Sequence, residues 1–126
     1  MIQKQKRPTY LNLLKIRLPI TGIASIGHRI SGALLFLSLP FFVYWFGKSL
    51  RSEADFSGVQ QVLESPLFKL VLILLIWSVA HHLFAGIRFL LLDMGIGSDL
   101  KQARRSAWLV NILGLVVLLI SCIGVW

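Results

Sequence analysis

Three long stretches of this chain carry no charge, and they constrain its fold more than any motif does. Ile30–Phe46 runs for 17 residues, Leu70–Ile87 for 18 and Ser106–Trp126 for 21 without an Asp, Glu, Lys or Arg. At a helical rise of about 1.5 Å per residue, each reaches roughly 25–32 Å, close to the thickness of a bilayer's hydrocarbon core. Charged residues make up 14% of the chain and hydrophobic residues 56%, whereas a soluble domain carries about 25% charged residues. With a mean hydropathy of +0.79, the chain has too little polar surface to cover a globule. The expected fold is all-α: a single membrane-anchor domain over residues 1–126 with three transmembrane helices, spanning about 20–47, 68–93 and 106–126. The first helix is extended back to Pro19–Gly22, and the second runs on to Asp93, where Gly95 and Gly97 stop it. Any chemistry must then lie within the bilayer or at its surface.

The net charge is +8, from 13 Lys and Arg against 5 Asp and Glu. In so apolar a chain this points to membrane orientation and not to nucleic acid. The segment before the first span holds five cations (Lys4, Lys6, Arg7, Lys15, Arg17), and Arg88–Arg105 holds four. The Lys48–Lys69 connection holds three, offset by Glu53, Asp55 and Glu64, and no charge follows Ser106. Nine against three places the N-terminus and the second connection in the cytoplasm and the C-terminus outside. Trp45 and Trp126 then fall at the outer interface and Trp108 at the inner one, while Trp77 lies deeper. Met1–Arg17 lacks the apolar core and cleavage site of a signal peptide and the character of a transit peptide. Cys122 is the one cysteine, so it forms no internal disulfide and reads as a packing residue.

Polar groups inside a span are costly, which makes each a functional candidate. Ser25-Ile26-Gly27-His28-Arg29-Ile30-Ser31-Gly32 sits at the start of the first span, and His81-His82-Leu83-Phe84-Ala85-Gly86-Ile87-Arg88, followed by Asp93, in the second. Both clusters lie toward the same side of the bilayer, which suggests one site. At about 100° per residue, Gly86, Phe89 and Asp93 fall within about 40° of His82, so the histidine heads a stripe with a glycine one turn along. A neutral imidazole beside an open glycine face suits an axial ligand of a haem iron; an interhelical hydrogen bond is the equal alternative. His81 points about 100° away and cannot bind the same iron from the same side; it reads as a packing or hydrogen-bonding residue. Ser25 shares a face with His28 or Arg29, and Arg29 needs an anion or strong acceptors: a lipid phosphate, haem propionates or a quinone ring. Gly22, Gly27 and Gly32 are taken as a small-residue packing track.

These residues also resemble a known family. Arg7-Pro8, then Leu18-Pro19-Ile20-Thr21-Gly22-Ile23-Ala24-Ser25-Ile26-Gly27-His28-Arg29-Ile30-Ser31-Gly32, is similar to the first signature of the cytochrome b membrane subunits of succinate dehydrogenase. His82-Leu83-Phe84-Ala85-Gly86-Ile87-Arg88, with Leu90 and Asp93-Met94-Gly95, is similar to the second, and the terminal Val125-Trp126 to the bacterial branch. The resemblance implies a subunit of respiratory complex II in the bacterial inner membrane, inactive alone. Its partners would be a flavoprotein, an iron–sulfur protein and a second membrane anchor. It implies a haem b shared with that anchor, with His82 as axial ligand of the iron from this chain and His28 and Arg29 near the propionates. It implies ubiquinone as substrate, at Ser25 and Arg29. Phe89 stands where many members carry a histidine, and Arg88 is a further cation suited to propionates. A fumarate reductase anchor, a small transporter or channel subunit, and an anchor without cofactor are the alternatives.

Overall fold

The computed structural model describes residues 17–126; the Arg7-Pro8 pair and Lys4, Lys6 and Lys15 fall outside the described residues. The order of elements is α1 (Ile20–Ser49), α2 (Glu53–Leu63), α3 (Pro66–Asp93) and α4 (Leu100–Val125), with no strand among the described residues. Helices α1, α3 and α4 are each long and apolar enough to cross a membrane. The three pack pairwise as an up-down-up bundle.

The interior is built from small residues. Ala24 and Ser31 of α1, Ser78 and Ala85 of α3, and Ala107, Gly114 and Ser121 of α4 are buried, and the largest fully buried side chains are Ser31 and Ser78. Large apolar residues such as Phe36, Phe41, Leu67 and Ile123 point outward. This is the inverse of a water-soluble core. Lipid tails are as apolar as leucine, so burying leucine gains little, and helices associate where small side chains let their backbones approach. Hydroxyl groups inside the spans return their hydrogen bonds to their own helix: Ser38 to the Leu35 carbonyl at 2.7 Å, Ser78 to Leu74 at 2.8 Å and Ser121 to Leu118 at 2.8 Å.

Two boundaries differ from the sequence expectation. A fourth helix, α2, which does not span, occupies the first connection, starting at the Ser52 cap, whose hydroxyl accepts the Asp55 amide at 3.1 Å. Helix α4 begins at Leu100, six residues before the expected 106, because Lys101, Arg104 and Arg105 continue the helix beyond the hydrocarbon. The α3 terminus is as expected. Gly95 and Gly97 take φ of 78° and 74°, and the Gly95 amide bonds the Leu92 carbonyl while Ile96 bonds Leu91, both at 2.9 Å. This pair of bonds with a left-handed glycine is a Schellman stop.

Candidate functional site

Two of the sequence-predicted residues, His28 and His82, meet where α1 packs on α3. The rings of His28 and His82 stack with centroids 4.1 Å apart and 12° between planes, and Phe89 meets His28 edge-on at 5.3 Å. His82 Nδ1 lies 3.2 Å from the backbone carbonyl of His28. A carbonyl only accepts, so Nδ1 is the donor, and in the neutral ring the lone pair is then on Nε2. Ser31, which donates to the same carbonyl at 2.9 Å, lies 3.4 Å from Nδ1 and adds a second acceptor for its proton. The backbone of α1 thus fixes both tautomer and orientation of His82, the arrangement that prepares a histidine to coordinate through its other nitrogen.

Glycine 32, not glycine 86, makes room for that ring. A Cβ on Gly32 would lie 2.9 Å from His82 Cε1, whereas one on Gly86 would meet only His28 Nε2 at 3.6 Å, an ordinary contact. The open stripe expected below His82 is therefore covered by the His28 ring. Gly22, Gly27 and Gly32 do not form one track: five residues advance a helix by about 140° beyond a full turn, so each faces a different way. Gly27 faces His81, Gly32 faces His82, and Gly22 meets only Leu18 and Pro19 of its own segment.

His81 lies on the inside. It is 3% exposed, held between Gly27 of α1 and Gly114 of α4, with Trp77 at a ring-centroid distance of 5.2 Å. Trp77, deep in the second span, thus belongs to the same packing knot. Nδ1 of His81 has no hydrogen-bond partner among the described residues. Arg88, 5% exposed, also turns from the His82 face. Its Nε donates to Ser106 Oγ at 3.0 Å and its Nη2 to the Ala103 carbonyl at 3.1 Å, both on α4. Arg29 is exposed and Ser25 half-buried on α1, one turn apart and beside His28. Sequence reasoning assigned no role to Ser31; its i, i+3 spacing from His28 was the available signal.

Among the described residues no group of three or more His, Cys, Asp or Glu could hold a bare metal ion.

Comparison with known proteins agrees with a chain of three membrane spans. The family model described as succinate dehydrogenase/fumarate reductase transmembrane subunit matches residues 3–121. The succinate dehydrogenase cytochrome b556 subunit of Coxiella burnetii is 34% identical over 122 residues, covering 96% of this chain and 98% of that protein. The subunit of the same name from Paracoccus denitrificans is 32% identical over 106 residues, covering 84% and 82%. The succinate dehydrogenase cytochrome b560 subunit of Reclinomonas americana is 30% identical over 122 residues, covering 93% and 85%. A match over nearly the whole length, to proteins built as membrane subunits, assigns this three-span chain: it belongs to the succinate dehydrogenase/fumarate reductase transmembrane subunit family.

Proposed function

We propose that this chain is a membrane anchor of succinate:ubiquinone oxidoreductase, sharing a haem b with a second anchor subunit and helping to form the site where ubiquinone is reduced. The observation that carries the reading is His82, with Nδ1 committed to the α1 backbone and Nε2 free to ligate. A haem bound here would be held by His82 of this chain and by a histidine of the second anchor subunit. The names of the relatives support haem: both subunits from Coxiella burnetii and Paracoccus denitrificans are called cytochrome b556. When bound, the iron supplies one-electron chemistry, and this chain supplies its position and the field around it. His28, stacked on His82, and Arg29 next to it in the chain would hold the propionates of that haem. The full assembly would add a flavoprotein and an iron–sulfur subunit, with the N-terminus and the α3–α4 turn on the cytoplasmic side and α2 outside, following the nine-to-three distribution of Lys and Arg.

Ubiquinone reduction consumes two electrons and two protons, so its site needs donors to the ring oxygens near water. Ser25 donates one hydrogen bond, and Arg29 stabilises negative charge building on a ring oxygen. Their place near the start of α1 sets them at the membrane boundary.

The haem reading is tested with His82→Ala in the co-expressed complex, by reduced-minus-oxidised spectra and haem content per flavin. Haem content should fall or its spectrum change; a wild-type spectrum at full occupancy would remove His82 as a ligand. For the quinone reading, Arg29→Ala should cost about ten- to a hundredfold in quinone reduction, the range of a charge-assisted hydrogen bond acting in the transition state. Ser25→Ala should act in the same direction. Succinate oxidation by an artificial acceptor that bypasses the quinone should survive both; parallel loss of the two activities would mean a structural role instead.

A further inference from the structure

A groove of about 530 Å³ runs between α3 and α4, on a side of α3 turned away from His82. Arg88, Arg105 and Ser106 line it at one level, with Leu91, Leu92 and Ile96 on the side of the turn and Phe84, Leu109 and Leu113 deeper. From Arg105 to Leu113 the helical rise is about 12 Å, most of one leaflet of a hydrocarbon core about 30 Å thick. Inward from its two arginines the groove is apolar, in the direction in which a lipid runs from phosphate to acyl chain.

The second observation is Arg88 itself. The residue is 5% exposed, and its hydrogen-bond partners among the described residues, Ser106 and the Ala103 carbonyl, are neutral. Stacking over Phe89 at 5.2 Å adds attraction but no opposite charge. Arginine has five donors and stays charged, so a buried one calls for an anion. Asp93 and Asp99 are exposed at this end of the bundle, and Asp99 is engaged by the Gln102 amide at 3.5 Å. Arg105 is exposed at the rim of the same groove, free to contribute a second cation.

We propose that this groove holds one anionic phospholipid, its phosphate between Arg88 and Arg105 and an acyl chain along Leu109 and Leu113. A zwitterionic lipid fits the apolar half equally well but carries an amine into a cationic mouth. Inorganic phosphate answers the charge but leaves the apolar half unfilled. The site is separate from the His28–His82 cluster, so it stands or falls independently of the haem and quinone readings.

The test uses the purified complex, stripped of lipid in detergent and titrated with phosphatidylglycerol, phosphatidylcholine, diacylglycerol or inorganic phosphate. Native mass spectrometry reads the lipid retained. Wild type should keep one phosphatidylglycerol in preference to phosphatidylcholine. Arg105→Gln should weaken that retention about tenfold, the loss of one charge-assisted hydrogen bond, and leave phosphatidylcholine unchanged. Leu109→Trp, at a position 57% exposed and so tolerant of substitution, should expel the acyl chain with both arginines intact. Equal retention of the two lipids by wild type, or wild-type phosphatidylglycerol retention in both variants, would overturn the proposal. So would displacement of phosphatidylglycerol by millimolar phosphate, which would make the ligand a free anion.

Discussion

A Cβ on Gly27 would lie 2.6 Å from Cε1 of His81 and 2.9 Å from its Nε2, closer than real contacts allow. On its other side the ring faces Gly114 of α4, packed so closely that a Cβ there would stand only 3.0 Å away, which leaves it little room to retreat. Replacing a helical glycine with alanine ordinarily gains about 0.5–1 kcal/mol, while overpacking costs about 1–3 kcal/mol. At Gly27 the clash should win, and Gly27→Ala should lower the melting midpoint of the assembled complex. Gly22→Ala, where the nearest atom is 3.6 Å away in Pro19, should leave it unchanged or raise it; equal effects at the two positions would contradict the wedge. The angular difference between His81 and His82 was legible in the sequence, but not which of them faces inward. Helix α3 is apolar on every side, so hydrophobic periodicity is silent there. The missing signal was residue size: Ser78, His81 and Ala85 lie on one face and are all buried, and small residues mark the inside of a membrane bundle.

At the scale of elements, the three spans could be read from uncharged runs because lipid tolerates few charges, and the end of α3 because two glycines follow it. The starts and the extra helix were harder. An uncharged run measures the hydrocarbon, not the helix; Lys and Arg are good helix formers, so α4 extends into the interface with three of them. Helix α2 left a different trace, Ser52-Glu53-Ala54-Asp55, in which a capping hydroxyl is followed by acids in the first turn. Its apolar content is too low for a span search to notice. The α3 stop makes a direct expectation: with φ of 78° at Gly95, Gly95→Ala forces a side chain into a left-handed conformation at a cost of about 1–2 kcal/mol. Thermal unfolding and proteolysis of the α3–α4 turn should both register it. Gly47→Ala, in α1 with open space around the new Cβ, is the matched control: it should leave proteolysis of the turn unchanged and should not lower the unfolding midpoint.

The bundle as a whole is fastened at both ends of α3. Lys69 stands 5.3 Å over the ring of Trp126, and at the opposite end Arg88 bonds Ser106 and Ala103. These bonds bear on biogenesis. During synthesis α3 emerges before α4, and an arginine entering a membrane without acceptors carries a penalty of up to about 3 kcal/mol. Its acceptors arrive only with the next helix, so α3 and α4 should partition together as a helical hairpin. A chain stopped after Ser98 should then show incomplete insertion of α3 in a translation assay with membranes, and Arg88→Leu in that shortened chain should restore it. Full insertion of the truncated arginine form would mean that α3 enters alone. The turn at Gly95 and Gly97, which brings the two helices side by side, would in that case shape only the finished protein and not the route by which it reaches the bilayer.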